Sequence, residues 1–155
     1  MTDPNAGADM NAGADMNPGA AAYLRCACGW ETAGALDDVV AATDEHGRRV
    51  HNMAATRDEI LAQVETIADN PAARRYELHL GDRVAAVAEY RDIRGARVFH
   101  HTEVDPEFEG RGMGSRIARH VLDDVRARGV ATRIKCPFLL TWIARHPEYA
   151  DLIGR

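Results

Sequence analysis

The stretch Glu109-Gly110-Arg111-Gly112-Met113-Gly114 places glycine at every second position, between a strand pattern and an amphipathic helix pattern. Glycines at such a junction let the backbone turn tightly, expose its N–H groups and admit a ligand closely. The N-terminus of the following helix adds about half a positive charge. The stretch therefore predicts a cradle for a diphosphate, to which Arg111 and Arg116 would add ionic contacts.

Two better-known phosphate loops do not fit this stretch. A dinucleotide fingerprint needs a parallel βαβ unit, whereas three antiparallel-looking strands precede the glycines here. A P-loop needs Gly-Lys-Ser or Gly-Lys-Thr, and neither follows. A purely geometric role for the glycines in a strand–helix turn remains the alternative.

The residues around the loop predict a mixed α/β arrangement. Alternating apolar residues indicate strands at 75–80, 84–90 and 98–104, joined by tight turns at Gly81-Asp82 and Arg94-Gly95. A helix is expected from Ser115 to Arg128, ended by Gly129. A fourth strand at 130–136 and a short helix after Pro137 complete the pattern.

Composition excludes several functional classes. The chain of 155 residues is 46% apolar and has a net charge of −5, although residues 70–155 carry +3 and suit an anionic ligand. Nucleic acid is therefore not expected as the main partner. No apolar run approaches the ~18–20 residues that span a bilayer, so no membrane partner is expected. No basic residue precedes Arg25, which argues against a secretory signal, and the three cysteines then indicate reduced thiols in the cytoplasm.

Several motifs follow one another in order in the second half of the chain. They are Phe99-His100-His101-Thr102, the glycine loop, Cys136-Pro137-Phe138, Trp142-Ile143, and His146-Pro147-Glu148-Tyr149. Over about residues 74–155 they resemble the short, single-module N-acetyltransferases of the GNAT superfamily. The resemblance implies acetyl-CoA as cofactor, and a central strand at about 98–104 that splays from its neighbour to admit the pantetheine arm.

The resemblance also implies a set of coenzyme-binding residues. They are Val104, Arg111, Gly112, Met113, Gly114, Ser115 and Arg116. Glu109 departs from the superfamily pattern, which usually has Gln or Arg there, and this removes one positive or amide contact.

Two side chains are candidates for catalysis. Strand alternation puts Phe99, His101 and Glu103 on one face, and His101 aligns with the histidine of the family's His-Thr motif as the base that deprotonates an amine. Cys136 would lie near the coenzyme thiol, either as a transient acetyl carrier or as an apolar lining residue. A structural histidine bonded to the backbone is the alternative for His101.

The aromatic residues near the C-terminus are expected to have structural roles only. Phe138, Trp142 and Tyr149 are interpreted as core and helix-packing residues, and His146, before Pro147, as a cap.

The acceptor is expected to be an exposed amine of a protein or small molecule. Typical superfamily members place two helices between their first and second strands, where they wall the acceptor site. Here little more than Gly81-Asp82 joins the strands, so the acceptor side should be shallow and open. The sequence leaves the identity of the amine and the oligomeric state open.

Four metal-ligand types lie within 26 residues near the N-terminus: Cys26, Cys28, His46 and His51. They suit zinc, although Cys-x-Cys is tighter than the usual knuckle and the His spacing requires a helix that ends near Gly47. Two reduced thiols and two surface histidines are the alternative. A unit this small is short of core, which gives a metal a physical role.

The chain is therefore expected to have three parts. Residues 1–21, with a duplicated NAGADM, predict a disordered tail. Residues 22–69 predict a small Cys/His unit, α+β or mainly helical. Its helices are expected to begin near Leu36 and at Thr56, where Thr56 and Glu59 have the spacing of a capping box, and the second is expected to run to Asn70. Residues 23–66 are similar to a family of small bacterial proteins of unknown function.

Residues 70–155 predict a GNAT-like domain with a mostly antiparallel sheet and flanking helices. The favoured function is N-acetyl transfer by direct attack of the amine. The alternatives are a non-catalytic module that binds CoA or acyl-CoA, and a metal-dependent interaction domain beside a vestigial transferase.

Overall fold

A computed structural model describes residues 21–153 of the chain. The chain divides into an N-terminal unit, which comprises the described residues up to Ala68 together with His79–Arg83, and a C-terminal unit, which comprises Asp69–Leu78 and the chain from Val84 onward. The predicted tail lies outside the described residues, apart from Ala21, which opens the first strand. The domain limits 22–69 and 70–155 stay a prediction.

The N-terminal unit is a small α+β structure. Its elements are β1 (Ala21–Arg25), β2 (Glu31–Gly34), α1 (Leu36–Val50), α2 (Arg57–Leu61) and the start of β3 (Glu65–Asn70). β1 pairs antiparallel with both β2 and β3. The apolar face of α1 covers β1, and the buried core consists of Ala22, Leu24, Val39, Val40, Ile60 and Val64.

The predicted second helix of this unit is wrong beyond its first turn. Thr56 and Glu59 form the expected capping box, but α2 ends at Leu61. The N–H groups of Gln63 and Val64 turn back to the carbonyls of Ile60 and Leu61, and the chain continues as β3. The β-branched residues of this segment favour a strand, and their burial alternates. A short apolar run fits both the helical and the strand period, so the pattern of this segment did not distinguish a helix from a strand.

The C-terminal unit has a mixed α/β fold, as predicted. Its elements are β4 (Arg75–Leu80), β5 (Arg83–Ile93), β6 (Ala96–Val104), a 3₁₀ turn (Pro106–Phe108), α3 (Met113–Ala127), β7 (Thr132–Ile134), α4 (Pro137–Ala144) and a 3₁₀ helix (Pro147–Leu152). The strand order is β4-β5-β6-β7. β5 and β6 are antiparallel, whereas β6 and β7 are parallel. None of the described helices is both long and apolar enough to cross a bilayer.

Several boundaries in this unit differ from the prediction, and β5 extends to Ile93 instead of residue 90 while β6 begins at Ala96 instead of residue 98. α3 begins at Met113, directly after the glycine loop, and β7 occupies only the middle of the expected 130–136 strand. Gly129, with φ of 65°, follows the helix as expected. The apolar face of α3 buries Ile117, Val121, Leu122 and Val125 completely.

Buried polar groups of α3 lie under β4. The hydroxyl of Tyr76 donates to Asp124 Oδ2 at 2.5 Å, and Arg128 lies 3.4 Å from the same carboxylate. One turn earlier, the buried Nε2 atom of His120 has no hydrogen-bond partner among residues 21–153. Burial lowers the pKa of His120, while Asp124 and Asp123 oppose that shift. Folding therefore favours the neutral imidazole.

His120 should make the C-terminal unit sensitive to acid. Because its pKa is lower in the folded state, its contribution is present above the unfolded value of about 6.5 and is lost as pH falls toward the folded value. We expect His120→Leu to lose less thermal stability than the wild type between about pH 7.5 and about pH 5.5. Calorimetric melting curves of both proteins test this, and parallel declines would contradict it.

Candidate functional site

A bulge in β6 changes which side chains share a face. Glu89 lies opposite His101 and Tyr90 lies opposite Phe99, so His100 is an extra residue in β6. Phe99 is fully buried, whereas His101 is exposed. The predicted common face of Phe99, His101 and Glu103 is therefore wrong, because strict alternation does not survive the inserted residue.

The pairing of β6 with β7 ends directly after Phe99. The carbonyl oxygen of Phe99 accepts from the N–H groups of Lys135 at 2.8 Å and Cys136 at 3.0 Å, after which the chain enters α4. The paired register of the two strands ends at Phe99 and Ile134. The last residues of β6 thus continue without β7 beside them, and we call this opening the fork.

Backbone groups of β6 face the fork at alternate residues. The N–H of Asp105 donates to Ala85 of β5 at 2.8 Å. Since backbone groups of successive strand residues point to opposite edges, those of Thr102 and Val104 point away from β5, toward the fork.

The two candidate catalytic side chains lie on opposite faces of β6. Cys136 is buried at the start of α4, and its thiol lies 3.4 Å from the hydroxyl of Thr102. His101 precedes Thr102 and therefore projects to the other face. The structure brings Cys136 together with Thr102 and keeps His101 apart from both side chains.

A cavity of about 420 Å³ lies between the glycine loop and α4. It is lined by Val104, Phe108, Glu109, Gly110, Gly112, Met113, Gly114, Ser115, Phe138, Trp142, Arg145 and His146. Five of the expected coenzyme residues are in this lining. Arg111 and Arg116 are not: the guanidinium of Arg111 lies 5.4 Å from the Phe108 ring centre, and that of Arg116 donates to the carbonyl of Arg111 at 2.9 Å.

The glycine loop leaves the start of α3 open to a ligand. Gly110 and Gly112 have φ values of 80° and 77°, which other residues rarely adopt. Gly112 is the N-cap of α3 and supplies no side-chain cap. The helix's first backbone bond runs from Arg116 N–H to the carbonyl of Gly112, so the N–H groups of residues 113–115 have no acceptor within the helix.

Gly114 keeps the cavity accessible. A Cβ atom at this position would lie 2.9 Å from Cζ of Phe138 and 3.5 Å from Cγ2 of Val104. The missing side chain thus allows the loop, β6 and α4 to approach one another while the cavity between them persists.

The sequence assigned only structural roles to the α4 side of the cavity. Phe138, Trp142 and His146 recur at every fourth residue, and this spacing was the available signal. The first two lie in α4, and His146 follows the end of that helix at Ala144. The indole N–H of Trp142 donates to Ser115 Oγ at 2.8 Å, which links α4 to the start of α3. His146 is the N-cap residue of the following 3₁₀ helix, its Nδ1 lies 2.8 Å from the carbonyl oxygen of Trp142, and its ring also stacks on Trp142 at 3.7 Å between ring centres.

The predicted metal ligands also come together. One ligand atom from each of Cys26, Cys28, His46 and His51 lies within 4.8 Å of all the others. The sequence had required α1 to end near Gly47, but α1 runs to Val50 and the cluster forms nonetheless. His51 reaches it from the C-cap, where its N–H donates to the carbonyl of Gly47.

Comparison with known proteins agrees with this geometry. Residues 75–152 match the family described as GCN5-related N-acetyl-transferase. The chain belongs to this family. Residues 21–67 match a family of unknown function, DUF1059. Both resemblances inferred from the sequence are confirmed.

Individual relatives are more distant. The [ribosomal protein bS18]-alanine N-acetyltransferase of Salmonella typhimurium is 33% identical over 70 residues, which cover 44% of this chain and 47% of the relative. The match thus spans about half the length of that protein.

Two solved structures show a weak likeness. The ribosomal-protein-S18-alanine N-acetyltransferase of Escherichia coli has 19% identity and a TM-score of 0.35, with 61% of this chain and 57% of that one covered. A possible acetyltransferase from Clostridium difficile 630 has 10% identity and a TM-score of 0.36, with 77% and 85% covered.

Proposed function

We propose that the C-terminal unit uses acetyl-CoA to acetylate an exposed amine, most simply one on a polypeptide. The observation that carries the proposal is the fork beside a cavity lined by the uncapped N-terminus of α3. Such an arrangement offers backbone donors for phosphates at one end and an unpaired strand edge at the other.

The residues present fit the coenzyme. The N–H groups of Met113, Gly114 and Ser115 are the donors for its diphosphate, strengthened by the helix dipole. Arg116 holds the loop in shape through its bond to the Arg111 carbonyl rather than by lining the cavity. Backbone groups of Thr102 and Val104 face the fork, where they are placed to pair with an amide-bearing arm.

The coenzyme supplies a thioester whose carbonyl carbon the amine attacks. The new bond joins the amine nitrogen to that carbon, the carbon–sulfur bond breaks, and the electron pair leaves with sulfur. N–H groups at the fork polarise the carbonyl oxygen. His101, on the β6 face opposite Cys136 and Thr102, accepts the proton of the amine. The coenzyme and the acceptor thus approach β6 from different faces.

The acceptor side supports a polypeptide substrate. β4 ends at Leu80 and β5 begins at Arg83, so two residues replace the helices that would enclose a small acceptor. The curated relative named for acetylation of a ribosomal-protein alanine points to the same class of amine.

Coenzyme binding should depend on the loop glycines. Gly112→Ala at φ 77° and Gly95→Ala at φ 80° impose comparable backbone strain of about 1–2 kcal/mol, but only Gly112 lines the cavity. We expect Gly112→Ala to weaken acetyl-CoA binding about tenfold, because the donors at the helix start shift. Gly95→Ala should bind as the wild type does. Calorimetric titration measures both, and equal losses in the two variants would contradict the placement.

The role of His101 can be separated from that of its neighbour. His101→Gln should lower kcat by about 100-fold and remove the acidic limb of the pH profile of kcat/KM, because the proton acceptor is gone. His100→Gln, the extra residue of the bulge, should stay near wild-type activity. Release of free CoA thiol with a peptide bearing an N-terminal alanine is the assay. A full pH profile in His101→Gln would exclude His101 as the base.

Direct attack makes a prediction for Cys136. Its thiol contacts Thr102, and we expect Cys136→Ala to retain activity within about threefold, with no acetyl adduct on the wild-type cysteine by mass spectrometry. An adduct that forms and decays at the rate of turnover would instead establish Cys136 as an acetyl carrier. Coenzyme binding without turnover on any amine would identify a binding module.

A further inference from the structure

The Cys/His cluster of the N-terminal unit has the geometry of a metal centre. We propose that Cys26, Cys28, His46 and His51 bind one Zn²⁺ ion as a closed, four-ligand structural site. This inference concerns residues outside the transferase machinery and stands independently of the function proposed above.

The backbone of the β1–β2 turn presents both sulfurs together. The N–H of Cys26 donates to the carbonyl of Trp30 at 2.7 Å, and the N–H of Gly29 donates back to the carbonyl of Cys26 at 2.9 Å. Gly29 has φ of 99°, which permits this tight reversal. The turn thereby accounts for a Cys-x-Cys spacing that is closer than the usual zinc knuckle.

The end of α1 presents both imidazoles. His46 lies in the helix, and its ring stacks on Trp30 with 4.1 Å between ring centres and 5° between planes. This stacking holds the ring in one orientation. His51 leaves the helix at the C-cap, and its ring meets that of His46 edge-on, at 78° between planes.

Three of the six distances among the ligand atoms are close to those of a tetrahedral site, and all six are within 4.8 Å. Cys26 Sγ lies 3.3 Å from His51 Nε2, Cys28 Sγ lies 3.4 Å from His46 Nε2, and the two Nε2 atoms lie 3.2 Å apart. Zinc bonds of about 2.05 Å to nitrogen and about 2.3 Å to sulfur give edges of about 3.3 Å for N–N and about 3.6 Å for S–N.

Ordinary hydrogen bonds do not account for this arrangement. An imidazole nitrogen directs one hydrogen or one lone pair along a single in-plane direction. Here each Nε2 atom approaches both a sulfur and the other Nε2 within 3.4 Å. A single hydrogen or lone pair on each nitrogen cannot be aimed at both partners, whereas one metal ion between the four atoms would bond to all of them. Two thiolates and two neutral imidazoles around Zn²⁺ also leave the cluster without net charge.

The ion would connect the β1–β2 turn to the end of α1, which the apolar core alone holds together on its own side of the unit. Six buried residues form that core, and the cluster lies at the surface, where Cys28 and His51 are exposed. Bonds from one ion to both segments would restrain the β1–β2 turn and the C-terminal end of α1 relative to each other. With all four positions filled by protein, the ion has no open position for catalysis.

Elemental analysis of the full chain, purified in reducing buffer without chelator or added metal-binding tag, tests the proposal. We expect about one zinc per chain, and replacement by Co²⁺ should give the visible absorption of a tetrahedral sulfur–nitrogen site. Cys28→Ser and His51→Gln, both at exposed positions, should lose the ion. Cys136→Ser, which changes the remaining cysteine, should keep it.

The melting temperature of the wild type provides a second test, which does not depend on whether the variants fold. Wild-type protein treated with a chelator should melt at a lower temperature and recover on addition of Zn²⁺, whereas Cys28→Ser should respond to neither. Absence of zinc from the reduced wild type together with no cobalt spectrum would overturn the proposal. Stoichiometric iron or copper in place of zinc would overturn it as well.

Discussion

The double hydrogen bond to the carbonyl of Phe99 is the constraint on which the candidate transferase site depends. Because the N–H groups of two consecutive residues, Lys135 and Cys136, share this oxygen, β7 turns away from β6 at once. Pro137 at the first position of α4 has no N–H with which to resume pairing. β6 therefore runs on with a free edge on that side, and the contact of Cys136 with Thr102 follows from the same turn.

The second constraint is the open N-terminus of α3. Helix starts are usually stabilised by a side-chain oxygen that accepts from the first N–H groups. Gly112 cannot supply one, and the loss is offset by the completely buried face of Ile117, Val121, Leu122 and Val125. The helix thus stays stable while its first N–H groups remain available. The buried face of α3 thus supplies stability, and its N-terminus supplies the hydrogen-bond donors that a site for an anionic ligand requires.

The sequence predicted the parts of the site that depend on local chemistry. Glycines at positive φ, the tight turn at Gly81-Asp82 and the capping box at Thr56 each act over a few residues, and each was found as expected. The family resemblance rested on motifs of this local kind.

Features that depend on strand partners were not predictable in the same way. The bulge at His100 exists only in relation to the register of β5, so alternation placed His101 on the wrong face. The segment 65–70 reads equally well as the end of a helix, and pairing with β1 decides that it is a strand. Phe138 and Trp142 were assigned to the core, because nothing in one sequence shows that a cavity opens beside a helix face.

The N–H groups at the start of α3 and the Cys/His cluster of the N-terminal unit are arranged for ligands of opposite charge. At the start of α3, the N–H groups of residues 113–115 have no acceptor within the helix, so they can donate to a bound anion. In the N-terminal unit, four ligand atoms lie within 4.8 Å of one another, where the proposed zinc ion would bond to all of them. The first arrangement needs glycine, because a side chain would close it. The second needs stacking and tight turns, such as Trp30 on His46 and the reversal at Gly29, because its ligands must be held before the ion arrives. The anion site therefore uses glycines, whereas the metal site uses cysteines and histidines held by a tight turn and a stacked tryptophan.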